Sequence, residues 1–225
     1  MGYAPDRMTD PRLRLILITD GAGDLARIEA VVAAALRGGC RCVQLRERAW
    51  SARQHAAACE RLQPLLAAAG GLLLVNDRVD VAAAGLAHGA QVGHRSLAPR
   101  AARQALPRPA LLGSSTHDAQ ELDEAAAAGC DFALLAPVWD SSSKPGRAGM
   151  GVAAAGALTA ASALPVIWLG GVSVARVGAL RALPAAHQPA GLAAISALMA
   201  ADDPEVTARE LLEALAQATL DPAKT

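Results

Sequence analysis

Aromatic side chains are nearly missing from this chain, with three Trp, one Tyr and one Phe among 225 residues. A core must therefore be filled by Ala, Leu and Val, which the hydrophobic share of 53% supplies. An excess of charge is missing as well, since 21 basic residues face 21 acidic ones. Nucleic acid is thereby excluded as the main partner, because no basic surplus exists to neutralise many phosphates. A local cluster of Arg and Lys remains able to hold one small anion. No apolar run approaches the ~18 residues needed to cross a bilayer. The first twelve residues are polar and Pro-containing, without the apolar stretch of a secretory signal. These absences predict a cytoplasmic protein with no membrane partner, in which residues 1–12 form a flexible tail. Cys40, Cys42, Cys59 and Cys130 form no CxxC pair and no zinc-like spacing. They read as small buried thiols in a reducing compartment.

What is present is a strict alternation. Short apolar runs at about 13–19, 41–45, 72–75, 90–92, 110–114, 132–137, 165–169 and 191–195 read as strands. Between and after them lie helical stretches at about 24–38, 51–68, 79–86, 98–105, 118–128, 152–163, 173–182 and 204–218. Strand–helix alternation implies a parallel sheet. Continuous rather than alternating apolar runs imply strands buried on both faces. Eight repeats fit a closed barrel better than an open sheet, so the expected fold is a single α/β domain, a (β/α)8 TIM barrel over residues 13–220. The Gly pairs at 38–39 and 70–71 stand where helices need a left-handed stop. Nothing in the sequence fixes the oligomeric state, and a homo-oligomer is left open.

In such a barrel the chemistry sits on the loops that follow the strands. After the second strand, Gln44, Arg46 and Arg48 alternate onto one side, an amide and two guanidiniums suited to clamp an anion. After the third, Asn76 precedes Asp77, which reads as a metal ligand or as the N-cap of the next helix. After the fifth come Ser114, Ser115, Thr116 and His117, and an imidazole at a strand end can both take and return a proton near neutral pH. After the sixth, Ser141, Ser142, Ser143 and Lys144 begin a long glycine-containing loop able to wrap a substrate. After the seventh and eighth, Gly170, Gly171, Ile195 and Ser196 offer backbone amides for a phosphate.

These segments, taken in order, resemble the group formed by thiamin phosphate synthase and the TenI-like thiazole tautomerase. The resemblance runs from Leu15 to about Pro204. It rests on Ile18-Thr19-Asp20, Gln44-Leu45-Arg46-Glu47-Arg48, Asn76-Asp77-Arg78-Val79-Asp80, Ser115-Thr116-His117, Ser141-Ser142-Ser143-Lys144 and Gly170-Gly171. It implies a small phosphorylated thiazole as substrate. For the synthase it implies that Gln44, Arg46, Arg48 and Asn76 bind a pyrimidine pyrophosphate and that Asp77 holds magnesium. The synthase pattern has Lys where Arg48 stands, and a second aspartate where Gly93-His94-Arg95-Ser96 places Ser96. A serine replaces a charged oxygen ligand there. The tautomerase pattern accommodates both departures, needs no cofactor, and uses a histidine at the position of His117 as acid and base. The expected function is therefore thiazole tautomerase, which aromatises a thiazole carboxylate phosphate by proton transfer. The alternatives are the magnesium-dependent synthase and a non-catalytic binder of thiamin precursors.

Overall fold

The computed structural model describes residues 10–140 and 148–219. Among them, eight parallel strands close on themselves in chain order. They are β1 (Leu15–Ile18), β2 (Cys42–Leu45), β3 (Leu72–Asn76), β4 (Gly89–Val92), β5 (Leu111–Thr116), β6 (Phe132–Leu135), β7 (Val166–Leu169) and β8 (Gly191–Ala194). The barrel is sealed where β1 pairs with β8, Leu15 opposite Leu192 and Leu17 opposite Ala194. The helices are α1 (Leu25–Arg37), α2 (Ala52–Ala68), α3 (Val79–Ala83), α4 (Pro99–Ala105), α5 (Ala119–Ala127), α6 (Val152–Ala161), α7 (Val174–Gly178), α8 (Ser196–Met199) and α9 (Pro204–Thr219). The molecule is a (β/α)8 TIM barrel. None of its described helices is long and apolar enough to cross a membrane.

The continuous apolar runs serve two cores. Ile16, Ile18, Cys42, Leu72, Leu74, Phe132, Leu134, Ile167 and Ala193 fill the barrel interior. Their neighbours Leu15, Leu17, Val43, Leu45, Leu73 and Val75 face the helices. This is the two-residue period of a strand buried on both sides. The single Phe fits inside because Gly113 has no side chain: a Cβ there would lie 2.4 Å from the Phe132 ring. All four cysteines are buried and free.

Several boundaries differ from those expected. Residues Pro11–Arg14 form a 3-10 turn capped by Asp10, with Leu13 buried against the interior core, so the folded unit begins upstream of residue 13. Strand β5 runs on to Thr116, which carries the hydroxyls of Ser114 and Ser115 within the sheet. The stretch at 173–182 splits into α7 and a 3-10 turn over Ala179–Ala182. Within the two Gly pairs, the left-handed residues are Gly39 and Gly70.

Candidate active site

The carboxyl ends of the strands gather the candidate residues into separate groups. The first is built from side chains on the β2, β3 and β4 ends. The backbone amide of Arg46 donates to Thr19 Oγ1 at 2.8 Å, fixing the β2 end against the β1 end. Glu47 is almost fully buried, and its carboxylate accepts from the amides of Gly21 (3.2 Å) and Gly23 (2.8 Å). This anchor sets the direction of the Arg46–Arg48 segment. Its sequence signal is an acidic residue between two arginines, which reads as ordinary surface charge until the β1 loop is seen above it. Arg46 is half-buried and Arg48 exposed. Loss of hydration lowers the pKa of Arg46, and the neighbouring Arg48 lowers it further, while Asp77 and Glu47 oppose the change. Two guanidiniums in mutual repulsion, only partly offset by Asp77 and Glu47, make a place where an added anion is welcome.

Asp77 adopts a left-handed backbone conformation, φ 61°, the one described non-glycine residue to do so. Such a conformation costs about 1–2 kcal/mol for a residue with a Cβ. The carboxylate does not cap the following helix, because α3 begins after Arg78 with no side-chain cap. That corrects the N-cap expectation. Instead Asp77 Oδ2 accepts from Asn76 Nδ2 at 2.6 Å, and Oδ1 accepts from the Ser96 hydroxyl at 2.6 Å. Asn76, Asp77 and Ser96 therefore form one chain of hydrogen bonds across the β3 and β4 ends. A carboxylate has about four acceptor positions, so each oxygen keeps capacity for a further ligand.

Beneath this group the barrel interior turns polar. Gln44 and Gln91 are buried, and among the described residues the Oε1 atom of each has no hydrogen-bond partner. Gln91 Nε2 donates to Ser115 Oγ at 3.1 Å, which places Ser115 in the same layer. An unsatisfied buried acceptor costs about 1–3 kcal/mol, and a ligand N–H descending into the barrel would relieve it.

The second group surrounds His117. Its ring Nδ1 lies 2.8 Å from Glu121 Oε2, and its backbone amide donates to the same oxygen at 2.7 Å. His94 stacks on it with ring centroids 4.9 Å apart. Asp118 caps α5 by accepting from the Glu121 amide, so His117 is not needed for that task. Among the described residues no hydrogen bond joins His117 to Arg46, Asn76 or Asp77. His94 and Glu121 were not singled out by sequence reasoning. Their signal is weak: a histidine in the loop after β4, and a glutamate four residues beyond His117.

The third group is made of backbone. Gly170 and Gly171 both have positive φ, 101° and 65°. With Ile195 and Ser196 they line a small cleft between the β7 and β8 ends. Arg176 donates to the carbonyls of Gly171 (2.6 Å) and Asp140 (3.1 Å), tying this cleft to the loop after β6. Asp140 Oδ1 accepts from the Gly149 amide at 2.7 Å. Ser141, Ser143 and Lys144, expected to bind substrate, lie outside the described residues.

Comparison with known proteins gives a consistent result. The family model described as thiamine monophosphate synthase matches residues 15–198. A protein of Laribacter hongkongensis named thiamine-phosphate synthase is 36% identical over 206 residues, which cover 91% of this chain and 95% of that protein. One of the same name from Thermosynechococcus vestitus is 36% identical over 191 residues, 85% of this chain and 53% of that longer protein. Among solved structures, the thiamine phosphate pyrophosphorylase of Pyrococcus furiosus superposes with a TM-score of 0.80 at 26% identity, covering 92% of this chain and 98% of that one.

Proposed function

Since the chain belongs to the thiamine monophosphate synthase family, we propose that it joins a pyrimidine pyrophosphate to a thiazole phosphate. This reading reverses the order of preference that Arg48, Ser96 and His117 invite. The names of the relatives support it. The observation that carries it is the Asp77 carboxylate, held by Asn76 and Ser96 at the end of β3, beside the β2 end that carries Arg46. An anion clamp beside a lone carboxylate is what a metal–pyrophosphate requires.

Magnesium fits this donor set only together with substrate. Asp77 supplies one carboxylate and Ser96 a neutral hydroxyl. Magnesium is commonly held by one or two carboxylates plus substrate phosphates rather than by a complete protein cage. When bound, the ion would neutralise charge on the departing pyrophosphate. The chain's own residues do the rest. Arg46 and Arg48 hold the pyrophosphate, Asn76 orients it, and Gln44 Oε1 accepts from the pyrimidine below. Ser115 supports that layer through Gln91. Gly170, Gly171, Ile195 and Ser196 anchor the thiazole phosphate. The thiazole nitrogen is thus held against the pyrimidine methylene carbon as its bond to pyrophosphate breaks. Positioning of this kind removes much of the entropic barrier to a two-substrate reaction.

A second reading, the thiazole tautomerase, is favoured by the oriented pair His117–Glu121 and by Ser96 in place of an aspartate. There His117 moves the proton and no metal is needed. One experiment separates them: incubate tag-free protein with both synthase substrates and magnesium, and separately with the thiazole tautomer. The expected outcome is thiamin phosphate and pyrophosphate, formed only when all three components are present. Aromatisation of the tautomer without coupling would install the second reading, and turnover of neither would leave a binder. In the synthase case, Ser96→Asp should tighten magnesium dependence.

A further inference from the structure

The His117 group contains more than a proton-transfer pair needs. His94 Nε2, His117 Nδ1 and Glu121 bring three donor atoms together from the β4–α4 loop, the β5 end and α5. The separations are 3.2 Å between the two ring nitrogens, 2.8 Å from His117 Nδ1 to Glu121 Oε2, and 3.4 Å from His94 Nε2 to Glu121 Oε1. A tetrahedral ion with metal–nitrogen bonds of about 2.0–2.1 Å spaces its ligand atoms roughly 3.3 Å apart. The two ring nitrogens thus stand at the spacing of two ligands on one such ion, and the Glu121 carboxylate lies against both, one oxygen nearest each. A cation shared by the three side chains would engage both ring nitrogens and the carboxylate at once.

We infer that His94, His117 and Glu121 form a binding site for one divalent ion of the zinc class, with its fourth position open. Two imidazoles and one carboxylate select zinc, cobalt or nickel over magnesium, which prefers oxygen. Glu121 is already oriented, because its Oε2 also accepts from the His117 amide. An entry path exists, since the His94 side chain is 66% exposed while that of His117 is 14% exposed. A cleft of about 300 Å³ lined by His94, Ser96, Ser115 and Glu121 lies alongside, with room for a water or a ligand oxygen on the ion. The site shares no ligand with Asp77, so it is distinct from the magnesium of the proposed reaction. An ion seated here would occupy His117 Nδ1 and so withdraw that atom from any proton transfer.

The test uses tag-free protein freed of metal by chelation, then titrated with zinc chloride by calorimetry and with cobalt chloride in the visible spectrum. One ion per chain is expected, together with the d–d absorption of four-coordinate cobalt. His94→Ala and Glu121→Gln should each weaken binding at least about tenfold and remove that absorption. His187→Ala, on a different face, should change neither. Thermal melts of the variants check that the fold is kept, and exposed His94 gives little reason for loss. A wild-type protein that takes up no cobalt in this form would overturn the inference. So would an His94→Ala variant that binds as tightly as wild type, or displacement of zinc by millimolar magnesium.

Discussion

The two sides of the barrel mouth are made of different material. The β2–β4 side presents side chains: two arginines, an amide, a carboxylate and a hydroxyl, braced by buried Glu47. The β7–β8 side presents backbone, with two positive-φ glycines and the single turn of α8. A pyrophosphate with metal needs formal charge and directed ligands, which only side chains supply. A single phosphate can be held by amides, which cost no counter-charge and no side-chain entropy. The division predicts that the first side fails when a side chain is cut back and the second when one is added.

Asp77→Ala should have the largest effect. It removes the one carboxylate among the proposed magnesium ligands, and coupling should fall by about 10²–10³-fold, the consequence of losing several kcal/mol of charge stabilisation. Steady-state kinetics over a magnesium series would measure it, and a loss below tenfold would place the metal elsewhere. Gly171→Ala comes next. A Cβ there would lie 2.4 Å from the Asp140 carbonyl and 2.9 Å from Trp139 Cβ, on a backbone at φ 65°. A destabilisation of about 1–3 kcal/mol is expected, read from denaturant midpoints, with a raised KM for the thiazole phosphate. Ser196→Ala should do much less, because the amides remain. Loss of one hydrogen bond of about 1 kcal/mol raises that KM about fivefold at most. A collapse of activity here would show that the second side also depends on side chains.

The smallest expected effect belongs to neither side. Burial lowers the pKa of His55, and burial followed by the charge of Arg12 lowers that of His88. His88 Nδ1 also accepts from the Leu73 amide at 3.0 Å, which requires the unprotonated nitrogen. In the unfolded chain both titrate near 6.5. Below that pH the unfolded chain takes up protons that the folded one refuses, so stability declines as pH falls from about 6.5 toward the lower folded values. Calorimetry at pH 7 and pH 5 should show a lower melting temperature at pH 5, and His88→Gln should narrow the difference. An equal drop in that variant would assign the acid response to other groups.

The side-chain half of the mouth was readable from the sequence because alternation and position after a strand place Gln44, Arg46, Asn76 and Asp77 without knowledge of the rest. Glu47 was not, since its role depends on the Gly21 and Gly23 amides of another loop. His94 and Glu121 escaped for the same reason: their meeting with His117 is made by the packing of α5 against the β4 loop. The preference for the tautomerase rests on Arg48, Ser96 and His117, each compared with the two patterns one residue at a time. In the folded chain Ser96 binds Asp77 directly, and the relatives carry the synthase name.

By itself, the sequence determined the (β/α)8 barrel, the strand order and the loops that bear the chemistry. Period-two burial, helix spacing and the short βα connections are local properties of a chain, and closing eight such units requires only that they repeat. The tertiary structure decided which candidate side chains act together. Contacts such as Ser96 with Asp77, or His94 with His117 and Glu121, join residues 19 to 27 positions apart across separate strand ends. Distances of that kind are fixed by barrel closure and register, which no local pattern encodes.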